Sequence, residues 1–103
     1  MLESGRWDAA HDGPLDEAGL RRKLESLGYR VSTYVYPPGT EFPPHDHGVD
    51  KIDAVLSGRF EIGTDEGVRV LGAGEWVMVP AGTRHHARVL GDKEVVSLDA
   101  VRC

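Results

Sequence analysis

Residues 39–58 read GTEFPPHDHGVDKIDAVLSG, and this stretch carries most of the information about the fold and the site. His45 and His47 are one residue apart, so on a strand both imidazoles project from the same face. Two histidines on one face can ligate a transition metal. Lys51 follows four residues after His47 and would place a positive charge near that metal. The stretch therefore raises the question of what its pocket binds.

A second stretch, GEWVMVPAGTRHHARV at residues 74–89, adds two more histidines. His85 and His86 are adjacent, so on a strand they point to opposite faces and only one can join His45 and His47. Three neutral imidazoles suit Fe, Ni, Zn or Cu and leave coordination positions open for water or substrate. The fifth histidine, His11, lies far from both stretches along the chain and has no predicted role.

The glycines and prolines around these histidines point to a known family. The two stretches have the forms G-x5-H-x-H-x3-K-x6-G and G-x5-P-x-G-x2-H-x3-V, which resemble the two motifs of the cupin superfamily. This resemblance implies a jelly-roll β-barrel, commonly a homodimer, with a pocket at one mouth. It also implies that the metal-binding positions are His45, His47 and His85. Where the family's first motif has a glutamate, this sequence has Lys51, and where its second motif ends in an asparagine, this sequence has Val89.

The rest of the chain agrees with an all-β fold carrying one short N-terminal α-helix. Residues 1–12 show no pattern and are predicted to be a loose arm, followed by a single cupin domain at 13–103. A helix is expected at about 14–27, capped by Asp12 or Gly13, and the barrel at about 29–101. The later residues form short alternating runs separated by turn signals. The predicted barrel-lining residues are Val55, Phe60, Ile62, Val77, Val79, Val95 and Leu98.

Composition narrows the function classes. The 103 residues allow one domain, and the net charge of −5 argues against nucleic-acid binding, which relies on basic residues. No apolar run approaches the roughly 20 residues that cross a bilayer, and the first residues lack signal-peptide features, so we expect a cytoplasmic protein without membrane contacts. The single cysteine, Cys103, excludes an intramolecular disulfide.

Lys51 leaves three arrangements open. In the first, three histidines bind a metal, and Lys51 stands off it to hold a substrate carboxylate or developing negative charge. In the second, no metal binds, and Lys51 with the imidazoles recognises a small anion. In the third, Lys51 is structural and pairs with Asp53 or Asp50. Asp50 could also approach the metal as a carboxylate ligand, although strand alternation points it away.

We predict a small-molecule site. The main hypothesis is an oxygen-dependent, dioxygenase-like enzyme that acts on a small organic acid or diketone-like compound, with Lys51 and Tyr36 as catalytic groups beside the metal. The alternative is a non-catalytic or metal-free pocket that binds a small anionic ligand through Lys51 and the histidines. Both hypotheses leave the substrate and the metal unspecified, because many chemistries share this barrel.

Overall fold

A computed structural model describes residues 2–103, which form two short helices and nine strands. The helices are α1 (Ala9–Asp12) and α2 (Glu17–Ser26). The strands are β1 (Ser4–Arg6), β2 (Tyr29–Tyr36), β3 (Glu41–His45), β4 (Lys51–Ser57), β5 (Arg59–Thr64), β6 (Gly67–Leu71), β7 (Glu75–Val79), β8 (His85–Leu90) and β9 (Val95–Arg102).

The strands form two antiparallel sheets. One sheet has the strand order β1-β7-β4-β9-β2 and the other the order β3-β8-β5-β6, so the chain crosses repeatedly between them. This two-sheet arrangement with few helices is the predicted jelly roll, and the all-β prediction is confirmed.

The apolar residues between the sheets follow strand alternation. One buried cluster lines the interior of the barrel and consists of Val55, Phe60, Ile62, Leu71, Val77, Val79, Ala87, Val89 and Val95. Six of the seven predicted lining residues belong to it. Leu98 does not, because it lies one position before Asp99 and projects from the opposite face of β9 into the cluster beneath α2.

Helix α2 covers the outer face of the larger sheet. Leu20 and Leu24 are fully buried there, and Arg21 donates hydrogen bonds to the Val31 carbonyl (2.6 Å) and the Thr33 hydroxyl (2.7 Å) on β2. The helix starts later than predicted because the Asp16 side chain accepts the Gly19 amide and so caps it, in place of Asp12 or Gly13. Within residues 2–103, no helix is long and apolar enough to cross a membrane.

Residues 4–12 form a strand and a short helix, where the sequence predicted a loose arm over residues 1–12; Met1 lies outside the described residues. Ser4–Arg6 pairs with β7 as an additional edge strand, and the Trp7 indole donates a hydrogen bond to the Gly13 carbonyl at 2.8 Å. A side chain at Gly5 would overlap the Trp76 ring, so glycine allows this strand to lie close against β7. The pairing of β1 with β7 joins residues that are distant along the chain, so a local sequence pattern cannot predict it.

Candidate metal centre

The structure brings together the three histidines that the sequence singled out. His45 ends β3 and His85 begins β8, and the two are directly opposite each other in the antiparallel pairing of these strands. His47 follows in the loop after β3. The ring centroids lie 4.3 Å apart for His45 and His85, 4.8 Å for His45 and His47, and 5.3 Å for His47 and His85. One ligand nitrogen from each ring lies within 4.8 Å of the others.

Backbone contacts orient these imidazoles. The Nδ1 atom of His45 is 2.7 Å from the Pro43 carbonyl, and the Nδ1 atom of His85 is 2.8 Å from the Thr83 carbonyl. A carbonyl can only accept, so each Nδ1 carries the proton and each Nε2 keeps a free lone pair. The His47 carbonyl in turn accepts the Gly82 amide at 2.8 Å, which ties its loop to the turn before β8.

The surroundings keep two of these histidines neutral. Burial, and next the charge of Lys51, lower the pKa of His47 below its ordinary value. Burial also lowers the pKa of His85, against the hydrogen bond to Thr83, which raises it. Neutral imidazole is the form that binds a metal, so the rings need not release a proton when a metal arrives.

The donor set fits a transition metal. Three imidazole nitrogens, two of them in a tautomer held by a backbone carbonyl, are typical of open sites with Zn and related ions. Tetrahedral metal–nitrogen bonds of about 2.0–2.1 Å place the nitrogens roughly 3.3 Å apart, which is closer than the 4.8 Å limit that encloses them here. Rotation of the side chains supplies such a change, since His45 and His47 are only partly buried. The three histidines of this chain are therefore placed so that they could hold one transition-metal ion.

Lys51 is paired with a residue that the sequence reasoning did not consider. Its Nζ atom lies 2.9 Å from each carboxylate oxygen of Asp99, and both side chains are largely buried, with 13% and 19% exposed. The predicted structural partners were Asp53 and Asp50. Asp50 is engaged elsewhere, since its carboxylate accepts the Ala81 amide at 2.8 Å, and it is not among the clustered metal-ligand candidates.

Asp53 lies beside this ion pair. It is directly opposite Asp99 in the pairing of β4 with β9, and it lines the same pocket. Burial, and next the charge of Asp99, raise the pKa of Asp53 to about 6, while Lys51 and His45 act in the opposite direction. Two carboxylates placed side by side in a partly dry site hold a proton more tightly than either would alone.

Tyr36 forms part of the pocket wall. Its ring stacks on Phe60 at 5.6 Å and meets the edge of Phe42 at 4.9 Å. Burial, followed by the charges of Asp99 and Asp53, raises the pKa of Tyr36 to about 12. The phenol therefore stays protonated and can donate a hydrogen bond, but it is a poor base.

These groups surround one open pocket of about 150 Å³, which has room for a small molecule only. Its apolar side is aromatic, and its polar side holds the histidines, Lys51 and two aspartates. The lining residues are Tyr36, Phe42, His45, His47, Lys51, Asp53, Phe60, His85, Ala87 and Asp99. Asp99 could have been found from the sequence, because Val95, Ser97 and Asp99 alternate with Val96, Leu98 and Ala100 and so face the barrel interior.

The remaining histidines lie outside the pocket. His86 follows His85 on β8 and points to the other face, where its ring covers the position that a Gly63 side chain would occupy. His11 is exposed on α1, near Asp12. Both positions agree with the sequence analysis, which assigned neither residue to the site.

Comparisons with known proteins add a family and several similar structures. A family described as "Cupin domain" matches residues 32–101. No curated protein sequence matches this chain. The structure of KdgF from Halomonas sp. is 25% identical, with a TM-score of 0.63, over 74% of this chain and 71% of that one. The DMSP lyase DddQ from Ruegeria pomeroyi is 27% identical, with a TM-score of 0.65, over 74% of this chain but only 39% of that one.

A cupin protein from Bacteroides fragilis is also similar, at 26% identity and a TM-score of 0.63, over 73% of this chain and 65% of that one. A protein from Streptococcus pyogenes matches at 23% identity, and this chain spans 64% of its length. Some of these relatives are thus longer than the matched region, and what they share with this chain is the barrel.

Proposed function

The chain belongs to the cupin domain family, and on that premise we propose that it is a metal-dependent enzyme acting on a small organic acid or diketone-like compound. The observation that carries this proposal is the convergence of His45, His47 and His85, whose ligand nitrogens lie within 4.8 Å of one another. A bound Fe, Ni, Zn or Cu ion would supply Lewis acidity and free coordination positions for a chelating substrate.

The Lys51–Asp99 pair supports metal binding over the metal-free alternative. An unpaired lysine about 4 Å from a single positive charge is repelled by about 4 kcal/mol at an intermediate effective dielectric constant. A divalent ion doubles this repulsion energy. Asp99 compensates that charge at 2.9 Å. The same compensation weakens Lys51 as the sole attraction for a free anion, so a pocket based on Lys51 alone is the less favoured function.

Lys51 can still contact a substrate. An ammonium group has three N–H donors, and the two oxygens of Asp99 accept at most two of them in this arrangement. The third is free for a substrate carboxylate or enolate oxygen. In this proposal Lys51 holds that oxygen, the Tyr36 hydroxyl donates a second hydrogen bond, and the rings of Phe42 and Phe60 exclude water from the apolar side.

Oxygen-dependent cleavage of the substrate is the reaction that we propose first. A specific observation favours a second candidate, an oxygen-independent proton transfer or elimination. Asp53 offers a carboxyl group that titrates near neutral pH at the pocket wall. In addition, one structure similar to this chain is a lyase by name. The two reactions differ in their need for oxygen.

Zinc titration of matched histidine variants tests the proposed metal site. We expect wild-type protein to bind one Zn²⁺ per chain and His47→Ala to lose at least tenfold in affinity, while His86→Ala binds as the wild type does. His86 is the matched control because it lies next to His85 but faces away from the pocket. Equal zinc affinity in all three proteins would contradict the proposal.

An oxygen electrode separates the two reactions. We would add pentane-2,4-dione and a series of 3-oxo acids to protein loaded with Fe(II), with and without dissolved oxygen. Oxygen consumption in step with substrate loss supports cleavage by oxygen, whereas equal turnover under nitrogen supports the proton-transfer reaction. Turnover that persists in His47→Ala would contradict both.

A further inference from the structure

The two aspartates of the pocket are placed so that they compete for one positive charge. Asp53 on β4 and Asp99 on β9 are directly opposite each other, and like charges in this position are unfavourable in a sheet. Lys51 lies two residues before Asp53 on the same face of β4. Yet its Nζ atom contacts both oxygens of Asp99 at 2.9 Å.

Asp53 is left without such a partner. Among residues 2–103, no hydrogen bond or ion pair reaches its carboxyl group, although its side chain lines the pocket. Directly opposite Asp53 on β7 is Val77, which is buried and apolar. A carboxyl group in this position is stabilised by a proton or by a ligand that enters the pocket.

We infer that the pocket takes up a small carboxylate together with one proton, and that Asp53 holds this proton where it faces the bound ligand. The inference deepens the proposed function and rests on its substrate class, a small organic acid, but not on the metal. A ligand carboxylate on the free N–H donor of Lys51 brings a third negative charge beside Asp53 and Asp99. Protonation of Asp53 relieves that repulsion.

In the metal-free protein, the charged and titratable groups around Asp53 set the sign of this coupling. They are Asp99 from β9, Lys51 from β4, His45 from β3, Tyr36 from β2, His85 from β8 and His47 from the loop after β3, while β7 contributes none. The Asp53 carboxyl already has a raised pKa because of burial and Asp99. A further anion raises this pKa again, so ligand binding near neutral pH is accompanied by proton uptake.

This coupling gives the ligand a neutral carboxylic acid as its neighbour. When protonated, Asp53 donates a hydrogen bond to a ligand oxygen, which a carboxylate could not do. The pocket would therefore favour small carboxylates with a second oxygen that accepts this hydrogen bond, such as dicarboxylates and oxo acids, over simple monocarboxylates.

Carbon-13 NMR with malonate as the probe tests the inference on metal-free protein. With aspartate labelled at its carboxyl carbon, the Asp53 signal is assigned by its loss in Asp53→Asn. We expect the pKa of Asp53 to rise by at least about one unit at saturating malonate, a tenfold change in proton affinity. Asp92→Asn, on an exposed turn, is the matched aspartate control and should leave this shift unchanged.

Lys51→Met provides the second control, since it removes the group that holds the malonate carboxylate. In this variant we expect malonate to leave the Asp53 signal unaffected. Failure of malonate to bind the wild type, or binding with an unchanged pKa of Asp53, would overturn the inference. Failure of the zinc titration would overturn the proposed metal site instead, so the two outcomes are distinguishable.

Discussion

Replacement of Lys51 by glutamate is a demanding test of how the charges in this pocket are arranged. Lys51→Glu removes the ion pair with Asp99 and places a third carboxylate next to Asp99 and Asp53. Breaking a fully buried ion pair costs about 3–5 kcal/mol, whereas an exposed pair is worth at most about 1 kcal/mol. The Lys51 side chain is 13% exposed and the Asp99 side chain 19%. This pair therefore lies between these limits, and we expect its loss to cost about 2 kcal/mol of stability.

Repulsion between the new glutamate and Asp99 adds to that loss. Two carboxylates about 4 Å apart repel by about 4 kcal/mol at an effective dielectric constant of 20. Protonation of one carboxyl group limits this cost at pH 7, so we expect a total loss of about 3–4 kcal/mol. At about 5 °C per kcal/mol for a domain of this size, the Tm of the metal-free variant should fall by about 15–20 °C.

Thermal unfolding with EDTA and with Zn²⁺ measures the effect. Because the glutamate restores a carboxylate beside three imidazoles, zinc should stabilise Lys51→Glu more than the wild type, and zinc at 100 times its Kd adds about 2.7 kcal/mol. The crowded carboxyls have raised pKa values when folded, so the metal-free variant should recover stability as the pH falls from 7 to 5. Lys51→Met, which adds no carboxylate but leaves Asp53 beside Asp99, should recover less stability over the same pH range.

Two results would contradict this arrangement of charges. A metal-free Lys51→Glu protein with the wild-type Tm would mean that Lys51 and Asp99 are not paired in a shielded site. An equal zinc-induced rise in Tm for wild type and variant would mean that position 51 does not face the metal.

Two further substitutions test other parts of the account. Because burial, and next the charge of Asp99, raise the pKa of Asp53 from 3.8 to about 6, its contribution to wild-type stability should fall by about 2 kcal/mol as the pH rises from 4 to 7. Asp53→Asn should lack this contribution, and parallel urea-unfolding profiles for the two proteins would be the contrary outcome. Gly58→Ala should cost at least about 2 kcal/mol, because the residue has φ +88° and its new Cβ would overlap the Glu94 carbonyl. Gly91→Ala, at φ +77° but with open space around it, is the control and should lose clearly less in the same assay, so equal losses would show that the overlap is not the cause.

The histidine cluster could be predicted because its information is local in the sequence. His45 and His47 are placed by strand alternation, and His85 by its distance from the glycines and proline of the second stretch. The same spacing predicted the jelly roll, which the structure confirms. The homodimer, the cytoplasmic location, the metal and the catalytic roles of Lys51 and Tyr36 stay predictions.

The partner of Lys51 could not be predicted by the same reasoning. Asp99 is 48 residues away along the chain, and its proximity depends on the register of β4 against β9. Only alternation along β9 hinted that Asp99 faces inward. The N-terminal strand was not predicted for a related reason. Its three residues are held at the sheet edge by pairing with β7, where Gly5 lies against Trp76, and a local sequence pattern does not reveal such a contact.

A crystal structure of zinc-soaked protein with an anomalous difference map would show whether the three histidines hold a metal. We predict one zinc peak per chain, bonded at about 2.0–2.1 Å to the Nε2 atoms of His45 and His85 and to His47, with Lys51 still paired with Asp99. A pocket without a zinc peak at saturating zinc, or a peak bound to other side chains, would contradict the account.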